Sequence, residues 1–99
     1  MNTEPHVYLV AYDIADKKRL RRVYKLMRGF GDHMQYSVFR CVLSPVQRER
    51  MLDALHRAIH HREDQVIIIP LGRANAKRSW RMTTVGLPVT HPERSVQVI

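Results

Sequence analysis

The chain has little of what several enzyme classes require. Its 99 residues include one cysteine and four glycines, which excludes an internal disulfide and leaves no cysteine cluster for zinc and no glycine-rich phosphate loop. The cysteine, Cys41, lies inside an apolar stretch, and we expect it to be a small buried side chain. The longer apolar runs, VYLVAY and VIIIPL, fall far short of the roughly 20 residues of a membrane-spanning helix, and the N-terminus has no signal-peptide pattern. We therefore expect a cytoplasmic protein that does not enter a membrane.

Acidic residues are also scarce. Nine Asp and Glu residues stand against 17 Lys and Arg residues, which gives a formal net charge of +8. Such a balance favours a polyanionic partner, and nucleic acid fits better than an anionic membrane surface. A chain of 99 residues has room for one small domain with one core.

Strand and helix patterns alternate along the chain. Residues 6–12 are rich in aromatic and β-branched side chains, which predicts a strand. Asp16 is placed to cap a helix, because apolar residues follow it at helical spacing. Residues 32–43 predict further strand, either as a short hairpin or as one bent strand, and the pattern does not place the turn. The apolar positions of the predicted helix are Leu20, Val23, Tyr24 and Met27.

A second helix is predicted to begin at Ser44, where serine at the cap, Pro45 at the first helical position and Gln47 have the pattern of a capping box. Residues 66–71 then predict an apolar strand, and Pro70 favours a position at the edge of a sheet. The predicted buried stripe of the second helix consists of Leu52, Leu55 and Ile59.

This order of elements predicts an α+β fold. It matches a ferredoxin-like βαββαβ sandwich, in which an antiparallel sheet carries two helices on one face. We assign residues 1–86 to this domain, including a short strand candidate at residues 82–85. Residues 87–99 form a C-terminal tail broken by prolines, and its last residues, SVQVI, have the pattern of a strand that could pair with a partner protomer.

The first strand has two apolar faces, because two sets of apolar side chains alternate along it: Val7, Leu9 and Ala11 with Tyr8, Val10 and Tyr12. Two helices can cover only one side of such a sheet. The other side needs a partner, and for a short chain the economical one is a second copy related by a twofold axis. A homodimer of this kind would bring two copies of Asp13 towards each other. The alternative is that large tyrosines are half-exposed on a monomer.

Asp13 and Asp16 both follow the first strand, and only one of them can cap the first helix. Asp16 is better placed, which leaves Asp13, at the carboxyl end of the strand, as a candidate for function. Magnesium commonly takes one or two carboxylates and completes its shell with water and phosphate oxygens. Two Asp13 side chains across a twofold axis would therefore suffice for a metal site. The structural alternative is an Asx-type turn that leads into the helix.

Basic residues crowd the first helix, and no acidic residue lies within it beyond the cap. Like charges at this spacing destabilise a helix, so we infer that the group contacts nucleic-acid phosphates. The alternative, for any single residue, is a solvated surface. A second basic group, with Trp80 among its residues, follows the last strand. The candidate phosphate contacts are Lys17, Lys18, Arg21, Arg22, Lys25 and Arg28 in the helix, and Arg73, Lys77, Arg78 and Arg81 in the second group.

Five segments, taken in order, resemble the CRISPR-associated protein 2 family: residues 12–14, 19–23, 31, 35–39 and 64–72. The resemblance spans roughly residues 7–86, most of the chain. It implies a ferredoxin-like homodimer in which Asp13 of both protomers faces the twofold axis and can share a divalent metal, magnesium or manganese. It also implies a role in acquiring CRISPR spacers together with the integrase subunit called CRISPR-associated protein 1.

Site residues carry over from the resemblance one by one. Many relatives have Arg or Lys where this chain has His33, so a phosphate contact there would depend on pH. His33 could carry a proton for Asp13 only if the fold brings the two together. The implied catalytic set consists of Asp13 as the metal ligand with its neighbour Tyr12, the helix arginines Arg19 and Arg22, and Ser37 and Phe39 of the second strand region.

Three functions are open at this point. Members of the family are described as metal-dependent endonucleases that act on RNA or on double-stranded DNA, and also as non-catalytic scaffolds that hold DNA for the integrase. In the first function the metal activates water while Arg19 or Arg22 assists at the scissile phosphate. In the second, Asp13 serves the structure. A toxin-like endoribonuclease of similar fold is the third.

Overall fold

A computed structural model of the chain describes residues 3–75 and 81–87. The strands form one antiparallel sheet in the order β2-β3-β1-β4. This is the predicted ferredoxin-like α+β fold, with β4 at a sheet edge as its proline indicates. The bounds of the elements are β1 His6–Asp13, α1 Lys17–Arg28, β2 Gly31–Gln35, β3 Val38–Leu43, α2 Pro45–Ala58 and β4 Gln65–Arg73.

Both helices begin where their caps predict. The Arg19 backbone N–H donates to Oδ2 of Asp16 at 2.9 Å, so Asp16 is the N-cap of α1. At α2 the Gln47 N–H donates to Ser44 Oγ at 3.2 Å, and the Ser44 N–H donates to the Gln47 side chain at 2.9 Å. The capping box is complete. Asp13 is left outside both caps.

The core lies between both helices and one face of the sheet. Val10 and Phe39 are neighbours across β1 and β3, and both are fully buried there. Val23 and Met27 of α1 pack against them without exposed surface. Since α1 contributes its predicted apolar stripe to this contact, the amphipathic pattern of the sequence fixes which side of the sheet is covered.

The prediction for α2 is right in part, and the prediction of a further strand is wrong. Leu55 is buried as predicted and Ile59, the C-terminal cap, packs against the core, whereas Leu52 lies on the flank of the buried stripe. Residues 82–85 form no strand; they are exposed, and a strand needs a neighbour to accept its backbone hydrogen bonds. The residues that α2 buries are Met51, Leu55 and Ala58.

Close approach of β2 to β3 accounts for Gly31. A Cβ added there would lie 2.4 Å from the carbonyl oxygen of Arg40 and 2.5 Å from Sγ of Cys41, which leaves no room for a side chain. Cys41 is fully buried, as predicted. Burial raises the pKa of its thiol to about 11, so the thiol stays protonated and unreactive at neutral pH.

The second face of the sheet is largely apolar, and neither α1 nor α2 covers it. Val10 points into the core, so Leu9 and Ala11 point to the other side. Ile67 and Ile69, their neighbours in β4, are 47% and 43% exposed. We call this surface the open face; its apolar residues are Leu9, Ala11, Val38, Val42, Ile67 and Ile69. Arg40, the neighbour of Leu9 in β3, lies among them and forms a salt bridge with Asp32 of β2.

Several predictions fall on other parts of the chain. Lys77 and Arg78 of the second basic group lie outside the described residues, and so do residues 88–99 with the strand candidate SVQVI. The domain boundary at residue 86 stays a prediction. Among the described residues, no helix is both long and apolar enough to span a bilayer.

Candidate active site and nucleic-acid interface

Asp13 is an exposed carboxylate at the carboxyl end of β1. It pairs with Gln65 of β4 and follows Ala11 on the side of the open face. An Asx turn at this position would use the backbone N–H of Ala15 as its donor. That N–H donates instead to Oδ1 of Asp64 at 2.9 Å. Within residues 3–75 and 81–87 no hydrogen bond or salt bridge engages the Asp13 carboxylate, so its structural alternative has no support.

Within the part of the chain that the structure describes, Asp13 is the one carboxylate at the end of the open face. Among the described residues, no group of three or more His, Cys, Asp or Glu side chains could hold a metal ion. Asp13 does present the hard oxygen donor that magnesium and manganese accept. The donor set therefore fits a divalent cation only if a second Asp13, water and substrate phosphate complete the shell.

Arg19 is engaged inside the protein. Its Nε donates to Oδ2 of Asp64 at 2.8 Å, and its Nη2 donates to Oδ1 of Asp64 at 3.1 Å and to Glu63 at 3.0 Å. The Asp64 side chain has no exposed surface, and that of Arg19 is 20% exposed. The hydrogen bonds between them hold the pKa of Asp64 well below its usual range and raise the pKa of Arg19. This geometry gives Arg19 a structural partner rather than a free guanidinium for phosphate.

Asp64 ties the end of β1 to the loop before β4. Besides Arg19, it accepts hydrogen bonds from the backbone N–H of Ala15 at 2.9 Å and of His60 at 2.7 Å. The backbone that immediately follows Asp13 is thereby fixed. Sequence reasoning assigned Asp64 no role; the available signal was an acidic residue in a basic chain, directly before an apolar strand.

Three members of the implied catalytic set come together on the helix side of the sheet. The rings of Tyr12 and Phe39 stack with centroids 6.2 Å apart, and both residues are buried. Burial, reinforced by Tyr24, raises the pKa of Tyr12 to about 12, while a hydrogen bond with Ser37 works in the opposite direction. Tyr12 is therefore uncharged at neutral pH. Phe39 and Tyr12 contact the core, whereas Asp13 lies on the other face.

His33 also lies on the helix side. Its ring centroid is 5.1 Å from those of both Tyr24 and Phe39, and its Nε2 donates to the carbonyl oxygen of Tyr36 at 2.6 Å. Because Asp13 belongs to the opposite face, the fold does not bring the two side chains together. The condition for His33 as a proton carrier to Asp13 is not met.

The cations of α1 and those of α2 differ in how many of them form salt bridges. On α2, Arg48 pairs with Glu49 and Arg57 pairs with Asp53. On α1, Arg19 alone forms a salt bridge with a described residue. Among the described residues, a group of six cations without a salt bridge thus lies on the exposed side of α1. Its exposed cations are Lys17, Lys18, Arg21, Arg22, Lys25 and Arg28.

Two of the residues predicted to contact phosphates also contact other side chains of the protein. The Arg28 guanidinium lies over the Tyr24 ring, 5.9 Å from its centroid. Arg73 lies 3.6 Å from a carboxylate oxygen of Glu4, with its side chain 65% exposed. Both residues keep exposed surface, so neither contact prevents binding to a phosphate.

A family model and the sequences of known relatives point to the same protein family. The family model described as CRISPR associated protein Cas2 matches residues 6–79. The "CRISPR-associated endoribonuclease Cas2 2" of Thermodesulfovibrio yellowstonii is 52% identical over 64 residues, 65% of this chain and 70% of that protein. The "CRISPR-associated endoribonuclease Cas2" of Geobacter sulfurreducens is 44% identical over 69 residues, 70% of this chain and 73% of that protein.

Solved structures agree with the sequence comparison. The crystal structure of Streptococcus pyogenes Cas2 superposes with a TM-score of 0.69 at 33% identity, covering 81% of this chain and 99% of the other. A hypothetical protein from Thermus thermophilus, TT1823, superposes with a TM-score of 0.71 at 27% identity, covering 87% and 99%. With the family model matching most of its length and relatives this similar, the chain belongs to the CRISPR-associated protein Cas2 family.

Proposed function

We propose that this protein is a magnesium-dependent endonuclease of CRISPR spacer acquisition, acting as a homodimer together with the integrase subunit, CRISPR-associated protein 1. RNA is the substrate that the names of its relatives support, and double-stranded DNA is the second substrate of the proposal. One observation carries it. Asp13 is an exposed carboxylate without a described partner, four residues before α1 with its exposed cations.

The open face supports the proposed dimer. Its isoleucines, Ile67 and Ile69, are nearly half exposed in a single chain, and contact with a second copy would remove them from water. Asp13 lies at the end of the same face, so a twofold contact would bring two copies near each other. The tail strand SVQVI would then pair with the free edge of β4 in the partner protomer, which satisfies backbone groups that an edge strand leaves open.

The chemistry divides between the metal and the protein. A divalent cation held by Asp13 would activate a water molecule and neutralise charge at the scissile phosphate. Lys17, Lys18 and Arg22 are exposed at the beginning of α1 and would bind the neighbouring phosphates. Asp64 holds the connection between β1 and α1 in place through the Ala15 N–H. Manganese has the same ligand preferences and would substitute for magnesium.

A non-catalytic scaffold is the second candidate, and a specific observation favours it. Arg19 is bound to Asp64, while Tyr12 and Phe39 are buried, so few groups near Asp13 are free to take part in cleavage. In this alternative the dimer presents the cations of α1 to DNA for the integrase. Membership of the CRISPR-associated family weighs against the third function, a toxin-like endoribonuclease.

Cleavage by the Asp13→Asn variant tests the proposal. We expect the parent to cut RNA or duplex DNA only with magnesium or manganese, and the variant to be slower by at least about a hundredfold, because removal of even outer-shell partners of a metal ligand costs about 10- to 100-fold. Asp16→Asn is the matched control. Asparagine caps a helix as well as aspartate, so this variant should cut like the parent.

Manganese binding, followed by electron paramagnetic resonance, gives a readout that does not depend on turnover. Equal cleavage by parent and Asp13→Asn, or cleavage that survives a chelator, contradicts the metal site. If neither protein cuts but both support spacer integration with the integrase, the scaffold is the correct function.

A further inference from the structure

The turn between β2 and β3 lies next to Asp13. It consists of Tyr36 and Ser37, since Gln35 and Val38 are the last paired residues of the hairpin. The backbone N–H of Tyr12 donates to the carbonyl oxygen of Ser37 at 3.0 Å. The turn is thereby fastened to the residue that precedes Asp13.

Hydrogen bonds hold the backbone of the turn in place at Tyr36. Its carbonyl oxygen accepts the 2.6 Å hydrogen bond from His33 Nε2, and the His33 ring is itself packed against Tyr24 and Phe39. Its φ of 40° lies in the left-handed region, where glycine and asparagine are the residues that fit with least strain. The turn conformation does not favour tyrosine, so the presence of a tyrosine here needs another explanation.

The ring of Tyr36 gives no such explanation within the chain. The residue is 88% exposed, and no ring contact or hydrogen bond joins its side chain to another residue in the described parts. A rigid backbone therefore presents a large, flat, solvated ring to the outside. An aromatic ring on an immobile turn suits a planar ligand, because binding does not have to order the platform first.

The charge around the turn identifies the ligand. The cations Lys17 and Lys18 begin α1 just beyond Asp13 and are exposed, which makes this end of the molecule a place for phosphates. A ring at the same end of the molecule as cations that can bind phosphates is in position to stack on a nucleobase. Bases inside a duplex already stack on their neighbours, so the base must be unpaired.

We propose that Tyr36 is a stacking platform for an unpaired base of single-stranded nucleic acid, adjacent to the Asp13 site. The inference rests on the proposed nucleic-acid function and narrows it to strands with an accessible base at this site. His33 acts through Tyr36 as a positioning residue, since its ring hydrogen-bonds to the Tyr36 carbonyl oxygen and thereby holds the turn.

Two substitutions of Tyr36 distinguish the contribution of the ring from that of the turn conformation. Tyr36→Asn removes the ring but tolerates a left-handed backbone, and Tyr36→Phe keeps the ring. Binding is measured by fluorescence anisotropy, with chelator present to prevent cleavage, for a single-stranded RNA and for a blunt duplex. We expect Tyr36→Asn to bind the single strand about tenfold more weakly, Tyr36→Phe to bind it like the parent, and duplex binding to be unchanged in both.

A second measurement locates the contact. Iodouracil placed in the single strand should photocrosslink to the peptide that contains Tyr36, and light scattering should give the same oligomeric state for all three proteins. Equal single-strand binding by Tyr36→Asn overturns the inference, and so does an equal loss for the duplex or a change of oligomeric state, which would make the ring a protein contact. If the parent binds no nucleic acid of either kind, the proposed function fails as well.

Discussion

At the scale of single residues, Asp64 determines the geometry around Asp13 more than any member of the predicted catalytic set does. It receives Arg19 from α1 and the backbone N–H groups of Ala15 and His60. Its side chain is shielded from solvent, where an ionised carboxylate is tolerated only with such partners. The conformation of the backbone between β1 and α1 therefore depends on the charge of Asp64.

Asp64→Asn should lower the free energy of unfolding at neutral pH, because it keeps the shape of the side chain and removes its charge. The pKa of Asp64 is lowered by folding. Its contribution is therefore complete above the unfolded pKa, about 3.9, and is lost as the pH falls towards the lower native value. Urea unfolding at several pH values should show a gap between parent and variant at pH 7 that narrows below about pH 4.

Asp53→Asn is the matched control for this prediction. Asp53 pairs with Arg57 on the exposed side of α2, and such a pair contributes about 0.5 kcal/mol or less. This variant should stay close to the parent at every pH. A gap for Asp64→Asn that is as small, or that widens in acid, contradicts the role assigned to the carboxylate.

Asp16 and Arg19 show how far the sequence alone can assign roles to single residues. Asp16 could be assigned as the cap, because its partner, the N–H of Arg19, is three residues away and helix geometry brings them together. The pairing of Arg19 with Asp64 spans 45 residues, and no local pattern encodes it. The resemblance places Arg19 in the catalytic set, and the long-range contact shows in addition that Arg19 has a structural partner.

At the scale of elements, the two helices carry positive charge in different ways. The cations of α2 are interleaved with Glu49 and Asp53, which neutralise Arg48 and Arg57. Those of α1 other than Arg19 repel one another without such compensation from the helix itself, since α1 contains no acidic residue. A surface that keeps such repulsion attracts phosphates, and α1 is that surface here.

Replacing Arg21, Arg22 and Lys25 together by glutamine should weaken duplex DNA binding. The slope of log Kobs against log salt should become less steep by about 0.9 for each phosphate contact that is lost, hence by about 2 to 3. Anisotropy titrations between low and physiological salt measure it.

The α2 counterpart replaces Arg48, Arg50 and Arg57, which changes the net charge by the same amount. Its slope should stay near that of the parent. Should both triple variants lose affinity and slope alike, binding would follow net charge rather than the face of α1, and the interface would be misplaced.

The hairpin of β2 and β3 shows why one element could not be predicted. Turns are recognised in a sequence by glycine, proline, asparagine or aspartate, and this one consists of Tyr36 and Ser37 with φ of 40° at the tyrosine. What stabilises it is the contact with His33 and Tyr12, which exists only once the sheet has formed. The other elements have local caps and regular apolar periods, and these were predicted.

At the scale of the whole molecule, the two faces of the sheet have unequal surroundings. One packs against α1 and α2, and the other is the open face with Asp13 at its end. The alternation of apolar residues along β1 predicted this from sequence alone. A covered apolar face stabilises the chain, whereas an uncovered one stabilises an association, so the structure of a single chain contains half of the proposed metal site.

Ile67→Lys should turn the proposed dimer into a monomer. In the single chain Ile67 is 47% exposed, so a lysine is accommodated there without disturbing the core, but in a dimer its charge would be removed from water without a partner. Val46→Lys is the matched control, because Val46 is 59% exposed on α2, away from the open face. Light scattering at micromolar concentration should give a monomer for Ile67→Lys and a dimer for the parent and Val46→Lys. Manganese binding should weaken only in Ile67→Lys; a monomeric variant that binds manganese like the parent would show that one Asp13 is sufficient and that the site is not shared.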